Sequence, residues 1–226
     1  MLPKQILDFL FNLSLPGKMP KDVSILNTWK QSEVRNCCET FYRKYYKNNN
    51  PRILMLGINP GRLGAGLTGI PFTDPVELEL KCGIKNPFPK KSELTSTFIY
   101  QVIAAMGGPA DFFERYYISA VCPFGFVKNG KNLNYYDLPE LKNLVEQKFP
   151  EWIAQQFKFG LSSEVCICVG EGKNFEFLTE MNQKHNLFDE IVALPHPRFI
   201  MQYKRKELKN YMKIYQQKLT ESLKLL

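Results

Sequence analysis

The stretch that most constrains this chain runs from Arg52 to Pro75. Its apolar run, Ile53 to Leu56, reads as a buried strand bounded by turn residues. The run stops at Gly57 and gives way to five glycines within thirteen residues, Gly57 to Gly69. A loop of this kind brings bare backbone N–H groups close to a ligand, because no Cβ intervenes. It also sets Asn59 at the carboxyl end of the strand, where open α/β sheets bind their ligands.

Two phosphate-binding chemistries compete for the loop, and both fail on detail. Gly64-Ala-Gly66-Leu-Thr-Gly69 has the G-x-G-x-x-G spacing of dinucleotide sites, which must follow the strand directly and open a helix. Here it begins seven residues past Gly57, and Pro71 and Pro75 oppose a helix immediately afterwards. Gly61 to Gly66 followed by Leu67-Thr68 mimics a P-loop, but Leu67 stands where the phosphate-binding lysine belongs. A structural glycine/proline turn stays open on this stretch alone.

The net charge of +8 and pI near 9.1 suit a partner rich in phosphate. They suit many basic proteins that bind no nucleic acid as well. No apolar run approaches the ~20 residues of a membrane span, and the amino terminus lacks the pattern of a secretory signal. The expectation is a cytoplasmic protein, nucleoid-associated in a bacterium. Six cysteines raise a metal reading. Cys37 and Cys38 are adjacent, Cys82 and Cys122 are isolated, and Cys166 and Cys168 alternate with valine and isoleucine. Neither His185 nor His196 stands at finger spacing from a pair. Reduced structural thiols, with no metal site, are the reading.

Helical spacing predicts helices over residues 2–13, 22–46, 93–106, 139–159, 172–185 and 204–225. Strands are predicted at 53–56, 116–121, 165–169 and 190–194, with a polar loop at 128–132. Residues 42–47 read as a solvated helix end. Strands alternating with helices imply an α/β fold, a three-layer α/β/α arrangement around a central four-stranded, mainly parallel sheet. One domain spans residues 1–226. Asn59 and His196 follow the first and fourth strands, so one sheet edge brings them together across 136 intervening positions.

Gly57-Ile-Asn59-Pro-Gly61, with Thr68-Gly-Ile-Pro-Phe72, resembles motif 1 of the single-strand-selective monofunctional uracil-DNA glycosylases. Leu194-Pro-His196-Pro197 resembles the start of their motif 2. Val121 to Phe126, Lys131-Asn-Leu133 and Leu138-Pro139 look like the family's middle segment, and Val169 to Gly172 like the turn after its third strand. The resemblance implies an enzyme that flips uracil out of DNA and hydrolyses its glycosidic bond with water, starting base-excision repair. It implies no metal or cofactor, no membrane and no obligate protein partner, in a monomer whose substrate is DNA carrying uracil or another deaminated base. Asn59 would orient the water and His196 would donate to uracil O2. Phe72 would stack on the base, and the backbone of Ile58 and Gly61 would approach it. Taken alone, His196 reads as a loop histidine packed for shape, and Phe72 as a core phenylalanine.

Two positions depart from the family. Its base-reading asparagine is Ala120 here, preceded by Ser119, so discrimination rests on backbone, water or Ser119, and other deaminated bases such as xanthine become candidates. Motif 2 continues as His196-Pro-Arg-Phe-Ile-Met201 rather than His-Pro-Ser-Pro-Arg-Asn, which rebuilds the expected wedge loop. Arg198, Phe199 and Ile200 are then the candidates to fill the gap left by a flipped base. Arg62, Lys204 and Arg205 complete the expected DNA-facing set. The rival reading is a non-catalytic nucleic-acid or nucleotide-binding module on the same fold.

Overall fold

The computed structural model describes every residue except 16 and 27. Helix α1 (Leu2–Phe11) leads to β1 (Val23–Leu26), a 3-10 turn (Thr28–Lys30) and α2 (Ser32–Tyr45). Strand β2 (Arg52–Gly57) is followed by the short helices α3 (Ala65–Thr68) and α4 (Pro75–Leu80). Then come α5 (Leu94–Ala105), α6 (Pro109–Arg115) and β3 (Tyr116–Ala120). A hairpin of β4 (Gly125–Lys128) and β5 (Lys131–Leu133) precedes α7 (Pro139–Phe157). The chain continues through β6 (Leu161–Val169), α8 (Lys173–His185) and β7 (Glu190–Leu194). It closes with α9 (Pro197–Tyr203), a 3-10 turn (Arg205–Glu207), α10 (Leu208–Ser222) and a last 3-10 turn (Leu223–Leu225).

The central sheet has the order β3-β2-β6-β7, every pair parallel. Its strands are short apolar runs because helices cover both faces, as a parallel sheet requires. All six residues of β2 are buried. Helices α6, α7, α8 and α10 pack on these strands, making the three-layer α/β/α architecture. Chain order reverses between β2 and β6, and such a switch point opens a crevice at the carboxyl ends of the strands. The register pairs Gly57 with Ala120 and Val169 with Leu194. The segments carrying Asn59, Ala120, Gly170 and His196 therefore leave the sheet at one edge.

Several segments differ from expectation. Residues 22–46 are not one helix, because Val23–Leu26 pairs antiparallel with β4. The polar stretch 128–132 is the paired tip of the β4–β5 hairpin rather than a loop. Asn129 and Gly130 both take left-handed backbone, at φ 51° and 71°, which suits the twist of a two-residue hairpin. The carboxyl-terminal helix is interrupted near Arg205, and a separate helix, α9, begins directly after His196. Tyr42 and Tyr46 are buried in an aromatic cluster with Phe41 and Phe113 rather than solvated. All six cysteines are buried. Among the described residues, no helix is long and apolar enough to cross a membrane.

Candidate active site

The loop after β2 is folded tightly enough to present Asn59 and Phe72 from fixed directions. The Gly66 N–H donates to the Gly61 carbonyl at 2.8 Å, closing the first turn. A Cβ on Gly66 would meet that carbonyl oxygen at 2.6 Å, so only glycine fits there. One helical turn, α3, follows where the sequence reads as open loop. The buried Thr68 hydroxyl donates to the Thr73 carbonyl at 2.6 Å, and Trp29 Nε1–H donates to the Gly69 carbonyl at 3.2 Å. These bonds hold Phe72 in left-handed backbone, at φ 50°. Such a conformation costs a non-glycine residue on the order of 1 kcal/mol or more. It turns the Phe72 ring against the end of β2, where a Cβ on Gly57 would lie 2.8 Å from ring carbons.

Asn59 is held at both ends of its amide. Its Nδ2 donates to the Leu133 carbonyl at 3.1 Å, and its Oδ1 accepts from the Tyr135 N–H at 3.1 Å. One partner accepts and the other donates, so the orientation of the amide is determined. Nδ2 also donates to the Pro60 carbonyl at 3.5 Å, whereas Oδ1 keeps one further lone pair for a ligand or water. The small β1-β4-β5 sheet thus has a purpose at the site, since β5 delivers this clamp. The carbonyls of Ile58 and Gly61 are already engaged, by the N–H groups of Cys122 at 3.0 Å and Gly66 at 2.8 Å.

His196 is the N-cap of α9. Its Nδ1 accepts from the Arg198 N–H at 3.1 Å, satisfying one of the helix's free amides. An accepting Nδ1 leaves the proton of a neutral imidazole on Nε2. Burial lowers the His196 pKa from 6.5 to about 4, and the Arg198 guanidinium adds to the effect. At neutral pH the ring is therefore uncharged, with Nε2–H its only donor. Gly170, at φ 131°, lies against this ring: a Cβ there would sit 3.5 Å from Cδ2. The centroids of Phe72 and His196 are 6.5 Å apart, with their planes at 52°.

Asn59, Phe72 and His196 line one cavity of about 540 Å³, with Ile58, Gly61 and Ser119. A model of the uracil-DNA glycosylase superfamily matches residues 43–220. The crystal structure of wild-type SMUG2 from Pedobacter heparinus matches with a TM-score of 0.94 and 41% identity, over 97% of each chain. The chain belongs to the uracil-DNA glycosylase superfamily. Its class is therefore DNA glycosylase. The resemblance to the single-strand-selective monofunctional branch, read from the motifs, agrees with this membership.

Against a glycosylase site, the DNA-facing residues expected from sequence separate into three groups. Arg198 and Phe199 line the cavity mouth, and Phe199 is 45% exposed. Ile200 is fully buried and belongs to the core, so it is not a wedge. The correction follows from α9: once His196 caps a helix, Ile200 and Met201 turn inward while Arg198, Phe199, Gln202 and Tyr203 face out. Arg62, Lys204 and Arg205 lie outside the cavity lining. Arg62 and Arg205 are exposed, and Lys204 pairs with Glu207 at 3.0 Å. Ser119 is 5% exposed and Ala120 half-buried, both at the cavity wall. Residues that sequence reading missed are Glu93, Asn132, Tyr136, Gln202 and Tyr203. Tyr203 is 74% exposed and 5.9 Å from Phe199 between ring centroids, and the helix-start signal of Pro197 points to it. Glu93 carried no local signal.

Proposed function

We propose that this glycosylase is monofunctional, releases uracil from DNA by hydrolysis and so starts base-excision repair. The base enters the cavity by flipping, as bases in a duplex are out of reach of an enzyme's reacting groups. Its ring stacks on Phe72, whose approach to the strand end depends on the glycine at position 57. As the C1′–N1 bond breaks, its electron pair leaves with uracil and negative charge grows on O2. The Nε2–H of His196 donates to that oxygen, a bond that strengthens as charge develops. Asn59 uses the free lone pair on Oδ1 to accept from the attacking water, orienting it toward C1′. The water oxygen bonds to C1′ and its proton leaves to solvent, while the released base takes one up. No lysine Schiff base is formed.

The observation that carries this reading is the hydrogen bond from the Arg198 N–H to His196 Nδ1, because it leaves the neutral ring only a donor to offer. A second substrate reading is supported by Ala120. A methyl group in place of a family asparagine widens a cavity of about 540 Å³, which leaves room for a purine such as xanthine. At the mouth, Phe199 is the residue that occupies the gap left by a flipped base. The test is release of free uracil from single-stranded and guanine-paired oligonucleotides in chelator, with strand cleavage only after alkali. Tight, salt-sensitive binding without base release would instead favour a binding module.

A further inference from the structure

Uracil leaves as an anion, so the sugar it leaves is transiently cationic. In the reading above, neither polar group at that bond carries charge: Asn59 is an amide and His196 a neutral imidazole. The cavity does hold a carboxylate packed against the motif loop. Glu93 stands just before α5, and its backbone N–H donates to Asp74 Oδ2 at 2.7 Å. Asp74 is fully buried and caps α4 through its other oxygen, accepting from Val76 and Glu77 at 2.8 and 2.9 Å. Glu93 is thereby tied to the segment that follows Phe72.

Its carboxylate rests on the glycine loop. A Cβ on Gly64 would overlap Glu93 Oε2, and one on Gly61 would stand 3.1 Å from Oε1 and 3.4 Å from Asn132 Nδ2. Two glycines thus make room for one carboxylate, and Gly61 is two residues from Asn59. Burial raises the Glu93 pKa most; Thr95 opposes this, Asp74 adds to it, and Arg198 favours the ionised form. Glu171 also lines the cavity but is exposed and adjoins Gly170, on the His196 side. A negative charge there would oppose the departing base rather than stabilise the sugar.

We propose that Glu93 is the anionic partner of the cationic sugar in the glycosylase reaction, an inference that rests on the uracil-releasing reading above. The carboxylate takes no proton in this role. It lowers the energy of positive charge at C1′ between departure of the base and formation of the C1′–O bond.

Glu93→Gln keeps the shape and removes the charge. Single-turnover release of uracil is expected to fall about 10- to 100-fold in this variant, the range for one charge at a few ångströms in a partly shielded site. Binding is measured with two stable abasic oligonucleotides, one carrying neutral tetrahydrofuran and one a cationic pyrrolidine ring. Wild type is expected to prefer the pyrrolidine. The variant should lose about tenfold or more of that preference while holding the tetrahydrofuran as tightly or more tightly, because a charge that repels phosphate is gone. An unchanged pyrrolidine preference, or a rate within about twofold of wild type, overturns the proposal. Parallel losses on both analogues, reading as structural damage, overturn it too. A wild type that releases no uracil sinks the reaction itself, and the pyrrolidine preference then still decides whether Glu93 binds a cationic sugar.

Discussion

Acidification isolates the state of His196, because native and unfolded chains hold its proton with different strength. In the unfolded chain the imidazole titrates near 6.5, whereas in the native site burial holds it near 4. The native form prefers the neutral ring, so lowering the pH favours the unfolded chain, which binds the proton more readily. Stability from this group is complete above pH 6.5, declines below it and is fully lost near pH 4. Between pH 7.5 and 4.5, values of 6.5 and about 4 give a loss of up to ~2.5 kcal/mol. Urea unfolding followed by the fluorescence of the buried Trp29 and Trp152 measures it. The comparison is wild type against His196→Gln, in which the carboxylates titrate as before and cancel. Wild type should lose ~2 kcal/mol more than the variant over this interval. Equal losses would refute a buried neutral imidazole. The chemical step should likewise show no acid limb near pH 6.5 attributable to His196.

Asn59→Asp sets an oxygen against the Leu133 carbonyl, 3.1 Å away, where an amide hydrogen now bonds. It should cost about 1–3 kcal/mol in urea unfolding, and an unchanged midpoint would remove the clamp. Gly57→Ala places a Cβ 2.8 Å from the Phe72 ring, so the chain should stay folded, by circular dichroism, while base release slows by about tenfold or more. Ile200→Ala should destabilise by about 2–4 kcal/mol as a core cavity. Phe199→Ala should leave stability within about 0.5 kcal/mol and slow release from duplex DNA; the reverse pattern in melting curves would restore Ile200 as the wedge.

The central sheet was legible because its four strands are short apolar runs closed by glycine or proline, a pattern that local composition carries. The β1-β4-β5 sheet was not. Val23–Leu26 is four residues long and becomes a strand only through its partner 103 positions away, as the bond from the Ser24 hydroxyl to the Val127 carbonyl illustrates. Asn129-Gly130 did carry a hairpin signal, but the three-residue β5 is polar and exposed at two positions, without the alternation that marks a strand. At the site, Asn59, Phe72 and His196 stood out through their motifs. Ile200 resembles a wedge only if the residues after His196 form a loop; Pro197 at the first helical position is the helix-start signal that turns it inward. Glu93 could not be found locally, since it approaches Asn59 across the space that Gly61 and Gly64 leave open.

Single-turnover release of free uracil by wild type, Asn59→Ala and His196→Ala, on one single-stranded uracil oligonucleotide in chelator, tests the central claim most directly. The account predicts rapid release by wild type, with alkali-dependent strand cleavage. It predicts rates lower by about 100-fold or more in each variant, with circular dichroism and oligonucleotide affinity retained. Wild-type rates in both variants would contradict it.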